Sequence, residues 1–297
     1  MSLAPRVVIV HRTTEYEELT ARHGTHGQAA FFLSSRGRDI AEVAERHRRS
    51  REALAAVVSA IPLTWRQARV ERADLDRFLF APEDVVVVVG QDGLVANVAK
   101  YLEGQPVVGI DADPGRNPGV LVRHRPGDAG ALLASAHGGS ADELTMVEAV
   151  ADDTQRLVAL NEIYLGAAGH QTARYRLGLD EYGGAVEPQA SSGVLVGTGT
   201  GATGWLRSVW QERGERLPLP GPTDERLLWF VREAWPSPAT GTSLVAGELT
   251  ASGRLSLTVE SDRLIVFGDG MEGDAVELVW GQTVRVGVAG VRLRLVG

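Results

Sequence analysis

Residues 83–104 read EDVVVVVGQDGLVANVAKYLEG. The valine run Val85–Val89 has no polar alternation, which is the mark of a strand buried on both faces. Leu94–Leu102 reads as a helix ended by Gly104. Between them stands Gly90-Gln91-Asp92-Gly93. Open α/β sheets bind ligands beyond the carboxyl ends of their parallel strands. The helix that follows offers unpaired N–H groups and a positive dipole end, which suit a phosphate. A carboxylate there is ill-suited to phosphate binding alone. It suits a general base, or a group that works with Mg²⁺. A tight strand–turn–helix junction with an Asp cap accounts for the same four residues.

Working outward, Arg6–Val10 reads as a short buried strand, and a polar, glycine-containing stretch follows it. Asp39–Ala60 places apolar residues at Ile40, Val43, Ala44, Leu54, Val57 and Val58. That is helical spacing, with the basic run His47–Arg51 on the solvated face and Pro62 closing the segment. Leu63–Val70 reads as a strand, Asp74–Phe80 as a short helix and Pro106–Ile110 as another buried strand. The alternation predicts a Rossmann-like α/β domain over residues 1–125, with a mostly parallel sheet and helices on both faces.

Beyond residue 125 a helix is expected at Asp128–Ala136. After it come short strands punctuated by Gly, Asp and Ser, among them Arg156–Leu165, Thr283–Val288 and Val291–Val296, with one helix near Thr203–Arg213. Residues 126–297 are therefore expected to form a β-rich second domain, whose last segment is a candidate to return to the first.

Two domains also suit a chain of 297 residues. The net charge of −8 argues against a protein built for nucleic acid or membrane phosphate, but not against a small anionic ligand held by local dipoles. With no cysteine, thiol catalysis, disulfides and Cys-ligated zinc are excluded. No apolar stretch reaches membrane-spanning length, and the short apolar run at the start reads as a strand rather than a signal peptide. A soluble, cytoplasmic protein is expected.

Further motifs carry chemistry. Gly197-Thr-Gly-Thr-Gly-Ala-Thr-Gly204 lies between a strand and a helix. It formally satisfies G-x-G-x-x-G, yet no βαβ unit surrounds it, so a dinucleotide fingerprint is a poor reading. Alternating Thr and Gly instead offers N–H groups and hydroxyls to one ligand. Asn161-Glu162 interrupts an apolar strand. It is either a solvated pair or one that hydrogen-bonds ribose hydroxyls or an adenine edge. The loop Asp111–Asn117 could close the site, with Arg116 as a phosphate partner, or be a polar surface loop.

In this order the motifs resemble the NAD kinases, with their GGDGT loop, NE pair and TPTGSTAY-like segment. The mitochondrial-type branch is closer still. It is similar at RTTEYE (Arg12–Glu17), at ERH (Glu45–His47) in the long helix, at DADPGRNPG (Asp111–Gly119), at ALNEIYLG (Ala159–Gly166) and at SSGVLVGTGTGATGW (Ser191–Trp205). The resemblance runs from Val7 to about Trp205. It implies an NAD kinase-like two-domain fold with a cleft between the domains, and a homo-oligomer. It implies that Asp92 is the base that deprotonates the adenosine ribose 2′-hydroxyl of NAD, which attacks the γ-phosphate of ATP with Mg²⁺ screening charge. Gly90 and Gly93 would line the phosphates, and Asn161 and Glu162 would hold NAD. Thr203, Gly204, Trp205 and Ser208 match positions around the NAD ribose and adenine, and Thr200 matches the threonine of the TPTG part. Ser192 stands where many bacterial members carry Asp.

The loop departs from the pattern twice, with Gln91 in place of Gly and Leu94 in place of Thr. The Asn at the end of the next strand is Asp111. Three outcomes fit: an NAD kinase with a modified loop, a relative that binds NAD or another nucleotide without phosphorylating it, and a kinase of the same fold acting on a different hydroxylated substrate.

Overall fold

The structure, a computed structural model, describes residues 5–116, 119–136, 140–152, 154–179, 186–214 and 217–297. Asn117 and Pro118 of the DADPGRNPG loop lie outside them. The chain forms two compact units, Met1–Asp142 with Arg294–Gly297, and Glu143–Leu293.

The first unit is an α/β layer structure. Its elements are β1 (Arg6–His11), α1 (Glu15–His23), α2 (His26–Ser34), α3 (Ile40–Ala60), β2 (Arg66–Glu71), β3 (Asp84–Gly90), α4 (Asp92–Ala99), β4 (Pro106–Asp111) and α5 (Ala129–Ser135). The strands are parallel, in the order β2-β1-β3-β4. On one face Val7, Ile9, Val85, Val87, Val108 and Ile110 pack against Ala53, Leu54 and Val57 of α3 and against Ala129 and Leu133 of α5. The alternate residues Val8, Val10, Val86 and Val88 are just as buried. They face the other way, where α4 packs on β1, β3 and β4. Five valines in a row are therefore what a strand covered on both sides requires.

The second unit contains β5 (Ala141–Ala151), β6 (Gln155–Ala159), β7 (Glu162–Gly166), β8 (Ala173–Leu179), β9 (Glu187–Ser191), β10 (Gly193–Gly197), α6 (Trp205–Glu212), β11 (Leu227–Arg232), β12 (Ala246–Leu249), β13 (Arg254–Val259), β14 (Arg263–Gly268), β15 (Met271–Val279) and most of β16 (Thr283–Val296). One sheet runs β16-β13-β8-β9, with β5 on β16 and β6 on β5. The other is antiparallel, in the order β12-β11-β10-β7-β14-β15. Ile163, Leu165, Val194, Val196 and Trp229 of the second sheet meet Tyr175, Leu177, Leu255, Leu257 and Val286 of the first in a shared core. The opposite face of the second sheet, with Tyr164, Leu195, Leu228 and Phe230, is covered by Leu206 and Val209 of α6.

Several expectations need correction. The stretch after β1 folds into two helices. A capping box starts α1, in which Thr14 accepts from the Glu17 amide and Glu17 accepts from the Thr14 amide. The apolar residues of α2, Ala29 and Leu33, are buried with Leu19 of α1 and Val43 of α3, so their periodicity matters only once the three helices pack. The boundary falls after Asp142 rather than near residue 125, because α5 packs back on α3 and β4. Arg156–Leu165 is two strands in different sheets, and the two expected final strands are one, β16. The end of β16 lies in the first unit, where Arg294 and Leu295 pair in parallel with Pro106 and Val107. Leu295 is fully buried there. Leu295→Ala should lower unfolding stability by about 2–5 kcal/mol, the range for truncating a buried leucine. Denaturant titration measures this, and a loss below about 1 kcal/mol would contradict the packing described.

Candidate functional site

The fold places the sequence candidates in two clusters, one in each unit. In the first unit Gly90 ends β3 and pairs with Asp111 of β4, at the carboxyl edge of the parallel sheet. Asp92 is the first residue of α4 and is half-buried. Its carboxylate clasps the chain that follows β4. Oδ2 accepts from the Val120 amide at 2.9 Å, and Oδ1 accepts from the Leu121 and Val122 amides at 2.8 and 2.9 Å. Such a pattern fixes the carboxylate firmly, since N–H bonds to an ionised acceptor are among the stronger ones. A carboxylate has about four acceptor positions, so Oδ2 retains one for an incoming hydroxyl. The same segment presses on β4. A Cβ at Gly109 would lie 2.1 Å from the Leu121 carbonyl oxygen, so no larger residue fits there.

The departures from GGDGT have local explanations. Gln91 is extended (φ −124°, ψ 165°) and exposed, so this backbone asks for no glycine. Leu94 is buried, and its side chain reaches back toward Gly90, where a Cβ would meet Leu94 Cδ2 at 3.0 Å. The position that would carry a threonine hydroxyl is part of the apolar packing under the strand end. Gly93 is exposed, with open space around its Cα.

In the second unit the chain changes sheets between β6 and β7, and Asn161 and Glu162 occupy that switch. Asn161 is half-buried. Glu162 begins β7 opposite Gly197 of β10 and points, like Tyr164, toward the side that carries α6. Its side chain is deeply buried, with 8% relative exposure of the residue. Its carboxyl makes no hydrogen bond among the described residues. Burial first, and the negative Asp269 second, push this carboxyl up to about 8.

The Thr/Gly segment wraps this carboxyl. The Thr198 amide donates to the Asn161 carbonyl at 2.9 Å. The Thr198 hydroxyl donates to the Leu160 carbonyl at 2.6 Å and accepts from the Thr200 and Gly201 amides. A Cβ at Gly201 would lie 2.3 Å from the Asn161 carbonyl oxygen, so the loop can close on the switch only with glycine there. The Thr203 hydroxyl donates to the Thr200 carbonyl, although the residue is exposed. Two of the three hydroxyls are thus used by the loop itself, because a tight turn leaves backbone groups that need partners. Among the described residues the buried Thr200 hydroxyl has no partner. Gly204 precedes α6, which carries Trp205 on its first turn and Ser208, exposed, on its outer side. Trp205 stacks on Tyr164 at 5.7 Å between ring centroids, with the Arg232 guanidinium over its other neighbourhood at 5.6 Å. Ser192 joins this group through its backbone, its carbonyl accepting from the Tyr164 hydroxyl at 2.6 Å.

Sequence reasoning missed Asp269. Its carboxylate accepts from the Leu160 and Asn161 amides at 2.8 and 2.7 Å, and more weakly from the Glu162 amide at 3.4 Å. The signal available was Gly268-Asp269-Gly270, which repeats the Asp-Gly grammar of residues 92–93 and reads on its own as a hairpin turn.

The backbone decides the architectural class. An NAD kinase from Archaeoglobus fulgidus, solved in complex with ATP, superposes with a TM-score of 0.59 at 16% sequence identity, covering 98% of this chain and 93% of that one. The protein has an NAD kinase-like fold. At this identity the likeness concerns the fold alone. No protein-family model and no curated protein sequence matches the chain. Among the described residues no group of three or more His, Asp or Glu side chains is arranged to hold a metal, and no helix is long and apolar enough to cross a membrane.

The raised Glu162 carboxyl has a consequence for stability in this NAD kinase-like fold. The folded state holds this proton more tightly than the unfolded chain, whose value is near the ordinary 4.5. Its contribution is therefore fully present below about 4.5, declines as pH rises, and is gone above about 8. Relative to Glu162→Gln, the wild type should lose stability by up to about 1.4 kcal/mol per pH unit across that window. Parallel pH profiles of the two proteins in denaturant titrations would refute the assignment.

Proposed function

We propose that the protein is an NAD kinase-like phosphotransferase that moves the γ-phosphoryl group of ATP to the adenosine ribose 2′-hydroxyl of NAD, giving NADP. The observation that carries this reading is Asp92. A half-buried carboxylate stands at the carboxyl end of a parallel strand, fixed by three backbone amides, with acceptor capacity left on Oδ2. The ordered motifs of the sequence and the NAD kinase-like backbone point the same way.

In this reading Asp92 takes the proton from the 2′-hydroxyl. The oxygen forms its bond to the γ-phosphorus, and the bond to the β-phosphate oxygen breaks, leaving ADP. Asp92 needs no further activation, since phosphoryl transfer depends on position and charge screening more than on covalent help. Gly90 and Gly93 line the phosphates, and the open space at Gly93 suits a close approach. Asn161, Glu162, Thr200, Thr203, Gly204, Trp205, Ser208 and Ser192 hold NAD. The unpartnered Thr200 hydroxyl supports this, because a buried hydroxyl without a partner costs stability unless a ligand supplies one. The described residues form no protein cage for Mg²⁺. The ion that accompanies ATP would be held mainly by phosphate oxygens and water. A cytoplasmic homo-oligomer completes the proposal.

One observation favours a second reading, in which the protein binds NAD or another nucleotide without phosphorylating it. Leu94 puts a buried hydrocarbon where a threonine hydroxyl could meet phosphate or metal, and Gln91 adds a side chain beside the phosphate path. The deciding experiment measures NADP formation from NAD, ATP and Mg²⁺, with Asp92→Asn and Gln91→Gly assayed beside the wild type. The expected outcome is activity in the wild type and a loss of at least about 100-fold in Asp92→Asn, the usual scale of a general base. An inactive wild type that still binds NAD would replace the kinase reading with the second one. Activity gained only in Gln91→Gly would locate the defect in that side chain.

A further inference from the structure

Asp269 lies outside every motif that points to a nucleotide, yet it holds the segment on which the proposed NAD contacts depend. β14 and β15 are joined by the two-residue turn Asp269-Gly270, both with positive φ (54° and 66°). That is the hairpin geometry for which Asp-Gly is a favoured sequence. Left-handed backbone at a non-glycine residue is costly, and Asp is one of the few side chains that tolerate it. Here the turn aims a carboxylate at the sheet switch. Leu160 and Asn161 fall between β6 and β7, so no ladder partner satisfies their amides. Asp269 accepts from both, and its own amide donates to the Glu162 carbonyl at 3.1 Å. Asp269 is buried, with 8% relative exposure of the residue, and three N–H groups compensate its charge.

The same carboxylate acts on Glu162 through space. Around Glu162 stand Gly197, its partner across the ladder, Gly201, whose Cβ position is 3.2 Å from the carboxyl, and Gly268 and Asp269, which meet its backbone carbonyl. Among these, Asp269 alone is charged. A carboxyl group that holds its proton can donate a hydrogen bond, whereas an ionised one only accepts.

We propose that Asp269 is a positioning residue for nucleotide binding: it clasps the Leu160, Asn161 and Glu162 backbone amides so that the Asn161 side-chain amide and the Glu162 carboxyl face the ligand. This rests on the reading of Asn161 and Glu162 as NAD contacts, but the clasp itself is testable without a ligand.

The test compares the full-length wild type with Asp269→Asn and Asp269→Ala, using NAD as the probe. Backbone amide exchange at Leu160 and Asn161 reports the clasp. The carbon chemical shift of the Glu162 carboxyl reports its titration. Calorimetry between pH 6 and 9 reports NAD affinity. In a folded Asp269→Asn the two amides should exchange at least about tenfold faster, as expected for losing a charged acceptor. The Glu162 midpoint should fall by roughly one pH unit, the scale of one neighbouring charge. NAD affinity should rise with pH in the wild type, and in the variant it should do so at correspondingly lower pH. Unchanged amide exchange and an unchanged Glu162 midpoint in the folded variants would overturn the proposal. If both move while NAD binds neither protein, the clasp stands and the reading of Asn161 and Glu162 as NAD contacts fails. If neither variant folds, amide exchange in the wild type decides. Leu160 and Asn161, which lie between strands, should exchange at least about tenfold more slowly than in an unfolded chain, and unfolded-chain rates would refute the clasp.

Discussion

Backbone N–H groups cannot be left without acceptors where a chain leaves a sheet inside a folded protein, and this molecule meets that constraint twice with the same device. An Asp followed by Gly turns a tight corner and gives both carboxylate oxygens to three consecutive amides elsewhere. Asp92 does so for Val120, Leu121 and Val122, and Asp269 for Leu160, Asn161 and Glu162. The first clasp fixes the chain after β4 over Gly109 and against the start of α4. The second fixes the crossing from one sheet of the second unit to the other. Each candidate cluster is built on one of these clasps.

The two clasps leave different chemistry exposed. Asp92 sits at a helix start and a sheet edge, half-buried, with room for one more hydrogen bond. Asp269 is buried and satisfied, and its charge is felt by the adjacent Glu162, whose buried carboxyl makes no hydrogen bond among the described residues. One carboxylate keeps an acceptor position open, and the other raises the proton affinity of a neighbour. The Thr/Gly segment completes the second cluster by closing on the Asn161 carbonyl, which its glycines permit, and by spending the Thr198 and Thr203 hydroxyls on its own backbone. That leaves Thr200 as the hydroxyl without a partner.

Much of the architecture was legible because periodicity is a local property. The valine run at 85–89 announced a strand covered on both faces, and the spacing in 40–60 announced α3. What could not be read depended on distant partners. α1 is short and mostly polar, α2 is just as short, and their buried residues come together only with Val43 of α3. Asn161 and Glu162 looked like part of one strand because apolar residues flank them. Instead Leu160 and Asn161 form a break and Glu162 begins a second strand, and Asp269, more than a hundred residues later in the chain, accepts the amides at the break. In the GQDGL loop Gln91 stands where the family pattern has Gly, and its backbone is ordinary extended chain.

The sequence by itself determined the two-domain organisation, the mostly parallel sheet of the first unit and the β-rich character of the second, and it put forward candidate residues for chemistry, since each follows from neighbours within a few positions along the chain. The tertiary structure decided which of those residues are free to act. It turned Asp92 into both clasp and acceptor, buried Leu94 beneath the strand end, made Glu162 a reluctant acid and brought Asp269 to its side. Burial, charge proximity and the satisfaction of backbone N–H groups are set by residues far apart in the chain, and only folding brings those together.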